Sequence, residues 1–282
     1  MGRLIVNADD FGLTPGVNRA IVELHANGVL TSTSLMARAA ATEEAIEIAL
    51  STPTLGVGCH VVLVDGEPSL PPHRIPSLVD HRVGSLHPTL TAFLPRLFTG
   101  RIRLSDIESE TRAQIEFLQN KGVHLTHIDT HKHTHMFPAI LRTVLRAARA
   151  CGILAVRNPF EPAWALRTAI GAPWLRLVEV GALRWLEPVC RRIIAEEGFT
   201  TTDGTVAVAA TGSLDAITLR SLLQQLPPGT WELVTHPGYN DADLARVRTR
   251  LRASRDAERQ ALAAIREFPS TDLISFAGLT SP

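Results

Sequence analysis

The chain is expected to fold as an α/β protein on a parallel sheet, open or closed into a barrel, with helices outside. Two observations predict this. Short apolar or β-branched runs alternate with helix-period segments along almost the whole sequence. The residues best suited to chemistry also fall at the C-terminal ends of the expected strands: Asp9, Asp10, His60, His127, Asp129, His131, Arg157 and His236. In parallel α/β folds those ends form one face, and active sites lie there. Structural polar residues scattered along the chain would show no such bias.

The elements follow in order. "RLIVN" (3–7) reads as a buried strand. "PGVNRAIVELHANGV" follows as a helix, with Pro15 in its first turn and Gly28 as its stop. "TSTSLMA" is a second strand. "TEEAIEIALS" is a helix with acidic residues in its first turn, and "LGVGCHVVL" is the third strand. "SDIESETRAQIEFLQNKG" is a helix that Ser105 and Glu108 would open as a capping box. "HLTHIDT" is strand four, "FPAILRTVLRAARACG" a helix and "ILAVR" strand five. A longer helical stretch covers 163–197. "TVAVAA", a helix capped by Ser213, "WELVTH", one long helix from Asp241 to Ile265 and "DLISF" complete about eight strands. The segment 64–95 breaks the rhythm. It holds Pro68, Pro71, Pro72, Pro76, Pro88 and Pro95 and reads as an inserted lid or binding loop, or as a surface excursion, on a single domain spanning 1–282.

Composition excludes several classes. The chain has 282 residues, 45% hydrophobic and 20% charged, with zero formal net charge, so no basic surface points to nucleic acid. "RVRTRLRASR" (Arg246 to Arg255) is flanked by acidic residues and reads as a solvated helix face. No apolar run reaches the length of a membrane span, and the N-terminus lacks a signal-peptide pattern. Three separated cysteines suit a reducing compartment, so a soluble cytoplasmic protein is expected. The apolar stretch 164–185 is tryptophan-rich. It reads as core, with a homodimer face or a lipid-substrate groove as alternatives.

"HLTHIDTHKHTH" (His124 to His135) carries five histidines and Asp129 in twelve residues, which points to a metal or catalytic site. In an extended strand His127, Asp129 and His131 share a face, and His124 lies on the other. Nitrogen and carboxylate donors suit zinc, cobalt, nickel or iron(II), and magnesium less readily. "NADDFG" sets two carboxylates side by side. On a strand, adjacent side chains point to opposite faces, so one could ligate a cation while the other acts as a base. A turn and helix cap is the alternative. His236 in "THPGY" is a candidate acid or ligand. Arg157 is a candidate fork for a carboxylate, and Glu161 in the same loop is a lesser candidate. No zincin, P-loop, nucleophile-elbow or dinucleotide motif appears.

"LIVNADDFGLTPGVNRAI", "TSTSLM", "GVGCHVVL", "THIDTHKHTHMFP", "VRNPFEP" and "LVTHPGY" together resemble the YdjC-type (ChbG-like) carbohydrate deacetylases. The His-Lys-His tract and "NPFEP" look closest to the hopanoid-biosynthesis-associated branch. The resemblance implies a distorted (β/α) barrel of the polysaccharide-deacetylase-like type. It implies one divalent metal, zinc or magnesium, on Asp10, His60 and His131. Asp9 would be the general base, His236 the general acid, and Arg157 the residue that orients Asp9. His127 would line the site as the second choice of ligand, and Asp129, His133 and Glu161 are candidates to contact substrate or support the site. Lys132 stands where the family often has histidine. The implied reaction is N-deacetylation of an acetylated amino sugar, such as an N-acetylglucosamine oligosaccharide or glycolipid. A metal-dependent phosphoesterase and a non-catalytic sugar-binding barrel are the rival expectations.

Overall fold

The computed structural model describes residues 2–169, 171–265, 268 and 271–280. Its elements run β1 (Gly2–Phe11), α1 (Pro15–Ala26), β2 (Ser32–Leu35), α2 (Thr42–Ser51), β3 (Gly56–Val61), α3 (Leu90–Phe98), α4 (Leu104–Asn120) and β4 (Leu125–Thr130). There follow α5 (Pro138–Ala150), α6 (Ala163–Thr168), α7 (Trp174–Leu183), α8 (Glu187–Glu196), β5 (Gly204–Val206) and α9 (Ala216–Gln224). The chain continues with β6 (Thr230–Thr235), α10 (Ala242–Arg246), α11 (Arg252–Ala263), β7 (Thr271–Leu273) and α12 (Ala277–Thr280). Among the described residues, no helix is long and apolar enough to cross a membrane.

Every strand pairing is parallel, in the order β4-β3-β2-β1-β6-β5. β7 pairs with the first residues of β1, below the point where β2 begins. The sheet curls until its edge strands nearly meet. The expected strand "ILAVR" fills the gap without becoming a regular strand. Val156 bridges Ile128 of β4, Ala155 bridges Thr200, and Thr205 of β5 donates its N–H to the Phe160 carbonyl. The result is a distorted (β/α) barrel, as expected from the sequence. Leu4, Val6, Val57, Cys59, Ile128 and Leu233 are fully or almost fully buried, as strands covered on both faces must be.

Several local expectations change. Thr14, with Pro15 after it, starts α1 by accepting the Val17 N–H at 3.3 Å. The Ser105/Glu108 box does not form. α4 begins one residue earlier, at Leu104, and Glu108 pairs instead with Arg146 at 3.3 Å. Asp215, not Ser213, caps α9 through the Thr218 N–H. The long C-terminal helix is two helices, α10 and α11, with Val247 in an extended conformation after the first. "TVAVAA" is strand only to Val206, because Ala207 takes a left-handed φ of 71° and turns the chain. The segment 164–185 is partly core. Trp164 packs edge-on against Trp231, whereas Trp174 and Trp185 are 74% and 88% exposed.

The 64–95 segment has an order of its own. Ile75, Leu78, Val79 and Leu86 are buried in it, and Val79 bridges Leu86. Two carboxylates of α4 pin it down. Glu110 accepts the N–H groups of Ser69 (2.6 Å) and Leu70 (3.0 Å), and Asp106 accepts the N–H and hydroxyl of Ser77. Glu110→Ala leaves two loop N–H groups without acceptors and is expected to cost about 2–3 kcal/mol in a denaturant titration. Hydrogen exchange should rise at Ser69 and Leu70 first. Unchanged exchange there would refute the pinning role.

Candidate metal centre and its polar barrel core

β1 carries two adjacent carboxylates to the C-terminal pole. Simple alternation would send them to opposite faces, but the strand is bulged there. The register runs Ala8↔Thr33 and then Phe11↔Leu35, so β1 holds one residue more than β2. Asp10 occupies the bulge with a left-handed φ of 65°. Both carboxylates therefore approach His60. The expectation of opposite faces is corrected by this bulge.

β3 presents His60, and the chain directly after β4 presents His131. Asp10 Oδ1 lies 3.5 Å from His60 Nε2 and 3.3 Å from His131 Nδ1, and the two ring nitrogens are 3.3 Å apart. Ligand atoms about 3.3 Å apart are what bonds of ~2.0–2.1 Å in a tetrahedral set require. Asp10 Oδ1 is buried without a hydrogen-bond partner among the described residues, although the same carboxylate's Oδ2 is paired with Arg255. His60 Nδ1 is 2.8 Å from Asp129 Oδ1, an arrangement that fixes the ring and leaves Nε2 as the donor atom. The donor set and spacing fit a divalent metal.

The surrounding charge also asks for a cation. Five buried carboxylates (Asp9, Asp10, Asp129, Glu232 and Glu258) face two buried guanidinium groups, Arg157 and Arg255. Burial alone would push the His60 imidazole down, yet Asp129 and Asp9 raise it to about 9. Burial pushes Asp10 up, but Arg255, His131 and His60 hold it well below the usual carboxylate range.

Beneath the triad lies a polar network inside the barrel, centred on Arg157. Its guanidinium grips Asp9 with two hydrogen bonds (2.9 and 2.6 Å), donates Nε to Glu232 at 2.8 Å, and pairs with Asp129. Asn7 donates to Asp9 and to Ser34, both at 3.0 Å, and Ser34 donates to Asp129. Burial pushes the Glu232 carboxyl up to about 7, against the pull of Arg157. Asp9, His60 and Asp129 also converge closely enough to hold an ion. That set is already neutralised, because Arg157 bonds both of its carboxylates.

His236 follows β6. Its Nε2 lies 3.8 Å from Asp9 Oδ2, its Nδ1 lies 3.9 Å from Glu258 Oε2, and its N–H donates to Glu258 at 2.7 Å. His127 is packed out of the triad. Its ring stacks on Phe276 at 3.8 Å, lies against Gly58, and is held neutral by burial, its pKa lowered to about 3. It reaches the network through Ser34, at 3.3 Å.

The chain after Thr130 forms a 3-10 turn with Lys132 and His133 at φ 56° and 51°, which ends the strand periodicity. Burial, with Arg157 and His135 beside it, keeps His133 neutral, and His135 hydrogen-bonds Thr130 at 2.7 Å. Lys132 pairs with Asp65 at the rim. Glu161 stands apart from the triad. It accepts the N–H groups of Ala207 and Ala209 (2.8 and 2.6 Å) and so holds the turn after β5.

Arg255 corrects the reading of Arg246 to Arg255 as a solvated face. It is 1% exposed and paired with Asp10. Arg255, Glu258, Ala261 and Leu262 are the buried residues of α11, at helical spacing. Two charged residues in the core phase of an amphipathic helix were the available signal. Glu232 within "WELV" gave the matching signal on a strand buried along its whole length.

Comparison with known proteins agrees with this architecture. The family model described as "YdjC-like protein" matches residues 3–266. The chain is 29% identical over 265 residues to a carbohydrate deacetylase of Thermoanaerobacter pseudethanolicus, covering 93% of this chain and 91% of that one. It is 39% identical over 151 residues to a chitooligosaccharide deacetylase of Salmonella typhimurium, covering 53% of this chain and 57% of that one. A crystal structure from Enterococcus faecalis V583, of a candidate cellobiose-phosphate cleavage protein, superposes with a TM-score of 0.76 at 26% identity. The match covers 99% of this chain and 98% of that one.

Proposed function

The chain belongs to the YdjC family, and from that membership and the triad's geometry we propose a metal-dependent hydrolase that removes the N-acetyl group of an acetylated amino sugar. One observation carries the reading. Asp10, His60 and His131 offer three donor atoms 3.3–3.5 Å apart, with Asp9 beside them and His236 across from Asp9.

The residues divide the work. Asp10, His60 and His131 would hold one divalent ion, with zinc favoured over magnesium by the two nitrogen donors. When bound, such an ion supplies Lewis acidity, making water more acidic and polarising the acetyl carbonyl. Asp9 accepts the proton of the attacking water. Arg157 fixes the plane of that carboxylate with two hydrogen bonds, and its Oδ2 lies 3.8 Å from His236 Nε2. The hydroxyl adds to the acetyl carbon and the C–N bond breaks. The sugar nitrogen takes a proton from His236, and acetate leaves. Glu258 anchors His236 through its backbone N–H and faces its Nδ1.

Acetate release tests this. The panel is N-acetylglucosamine oligomers and lipid-linked N-acetylglucosamine analogues. The lipid-linked members also test the hopanoid-associated assignment suggested by "NPFEP". Asp10→Ala and His131→Ala are each expected to lose bound metal and turnover together, read by elemental analysis and acetate assay. A fully metal-loaded protein that releases acetate from no member of the panel refutes the reading. A phosphoesterase with two metals is disfavoured because Arg157 already occupies the second carboxylate set.

A further inference from the structure

We propose that Arg255 is a positioning residue that holds Asp10 to one ligating oxygen and so keeps part of the metal's coordination sphere open. This rests on the metal reading above and goes beyond it.

The Asp10 carboxylate has two oxygens with different surroundings. Oδ2 is taken by Arg255 Nη2, while Oδ1 faces the two histidines with no hydrogen-bond partner among the described residues. A carboxylate free at both oxygens can chelate a cation. One whose second oxygen is capped by a guanidinium offers a single donor atom. Three protein donors leave room for water and substrate, and a fourth would compete with them.

The cost of Arg255 argues for a role beyond packing. It is almost completely buried, and both Nε and Nη1 lack hydrogen-bond partners among the described residues. Unpaired donors on a buried charge destabilise a fold, and an apolar residue of similar size would avoid that penalty. The chain also makes room for it. A Cβ at Gly238, in "THPGY", would stand 3.2 Å from Arg255 Cδ and 3.0 Å from Val17 Cγ2. The Gly238 N–H donates to the Arg255 carbonyl. The glycine of that motif thus sets the path of the arginine that reaches Asp10. From the same helix, Glu258 reaches His236, so α11 supports both the triad and the residue across from it.

The test is cobalt substitution of the full-length protein. Arg255→Met frees Oδ2 and removes a positive charge near the ion. The expected result is a weaker, shifted visible absorption band as the coordination number rises, and cobalt affinity increased about tenfold. The rise in Tm on adding cobalt should be larger than in the wild type. Turnover should fall about 10- to 100-fold, mostly in kcat. A merely structural arginine would lower affinity and turnover together and leave the spectrum of the loaded protein unchanged. That outcome overturns the proposal while leaving the deacetylase reading intact. If Arg255→Met does not fold, Arg255→Lys decides. Its shorter, single-donor side chain should move the spectrum in the same direction, and an unchanged spectrum with unchanged kcat overturns the proposal. A wild-type protein that binds no cobalt overturns the metal reading, and this proposal with it.

Discussion

Asp9→Asn is expected to lower kcat by roughly 10³-fold while the protein still binds one metal per chain, since a positioned general base contributes about 10² to 10⁴. The substitution keeps the shape of the side chain but cannot take a proton from water. Metal retention follows from the geometry, because the triad is built from Asp10, His60 and His131, whereas Asp9 is bound by Arg157 and Asn7. The amide cannot reproduce the two-point grip of the guanidinium, so a modest loss of stability should accompany the loss of rate. Arg157 keeps Asp129 and Glu232 as partners, which limits that loss. Steady-state acetate release and elemental analysis on the same sample make the measurement. A variant that loses metal in proportion to activity would show Asp9 to be a ligand, and the proposed division between Asp9 and Asp10 would be wrong.

Arg157→Met should have the largest effect on stability. It takes the guanidinium away from Asp9 and Glu232 in the barrel interior and leaves Asp129 with His60 as its one charged neighbour among the described residues. Removing one member of a buried ionic cluster costs about 3–5 kcal/mol, which for a chain of this size lowers Tm by roughly 10 °C. Turnover should be lost as well, because nothing else grips the Asp9 carboxylate at two points. Arg157→Lys restores the charge but not the planar fork and should recover only part of both losses. Thermal denaturation of the three proteins gives the comparison. A Met variant within about 1 kcal/mol of the wild type would show that the carboxylates re-pair or protonate at little cost, and the network would not be the structural centre described above.

Much of the fold was legible in the sequence. Strand-helix alternation gave the parallel α/β class, and β1, β2, β3, β4 and β6 fall where apolar, β-branched runs predict them. The pole was legible too, since the conspicuous histidines and aspartates cluster at strand ends. "ILAVR" was over-read as a strand. Its Ala155 and Val156 make only single bridges to the segments on either side, and no local pattern reports how a barrel closes. The Ser105/Glu108 box failed for a related reason. Asp106 and Glu110 of the same helix are committed to the N–H groups of a loop that begins some forty residues earlier.

The sequence by itself determined which residue types reach the pole and on which strands they ride, because strand ends and turn residues are local properties. The tertiary structure decided what those residues face. A one-residue bulge with a left-handed Asp10 turned adjacent carboxylates toward the same histidine. Arg255 and Glu258, which look like ordinary residues of a charged helix, became buried partners of Asp10 and His236. Such pairings join residues more than two hundred positions apart, or sit on a helix whose buried face is set by the barrel beneath it. Charge that looks solvated in one dimension is desolvated, and therefore strong, only once the fold has closed around it.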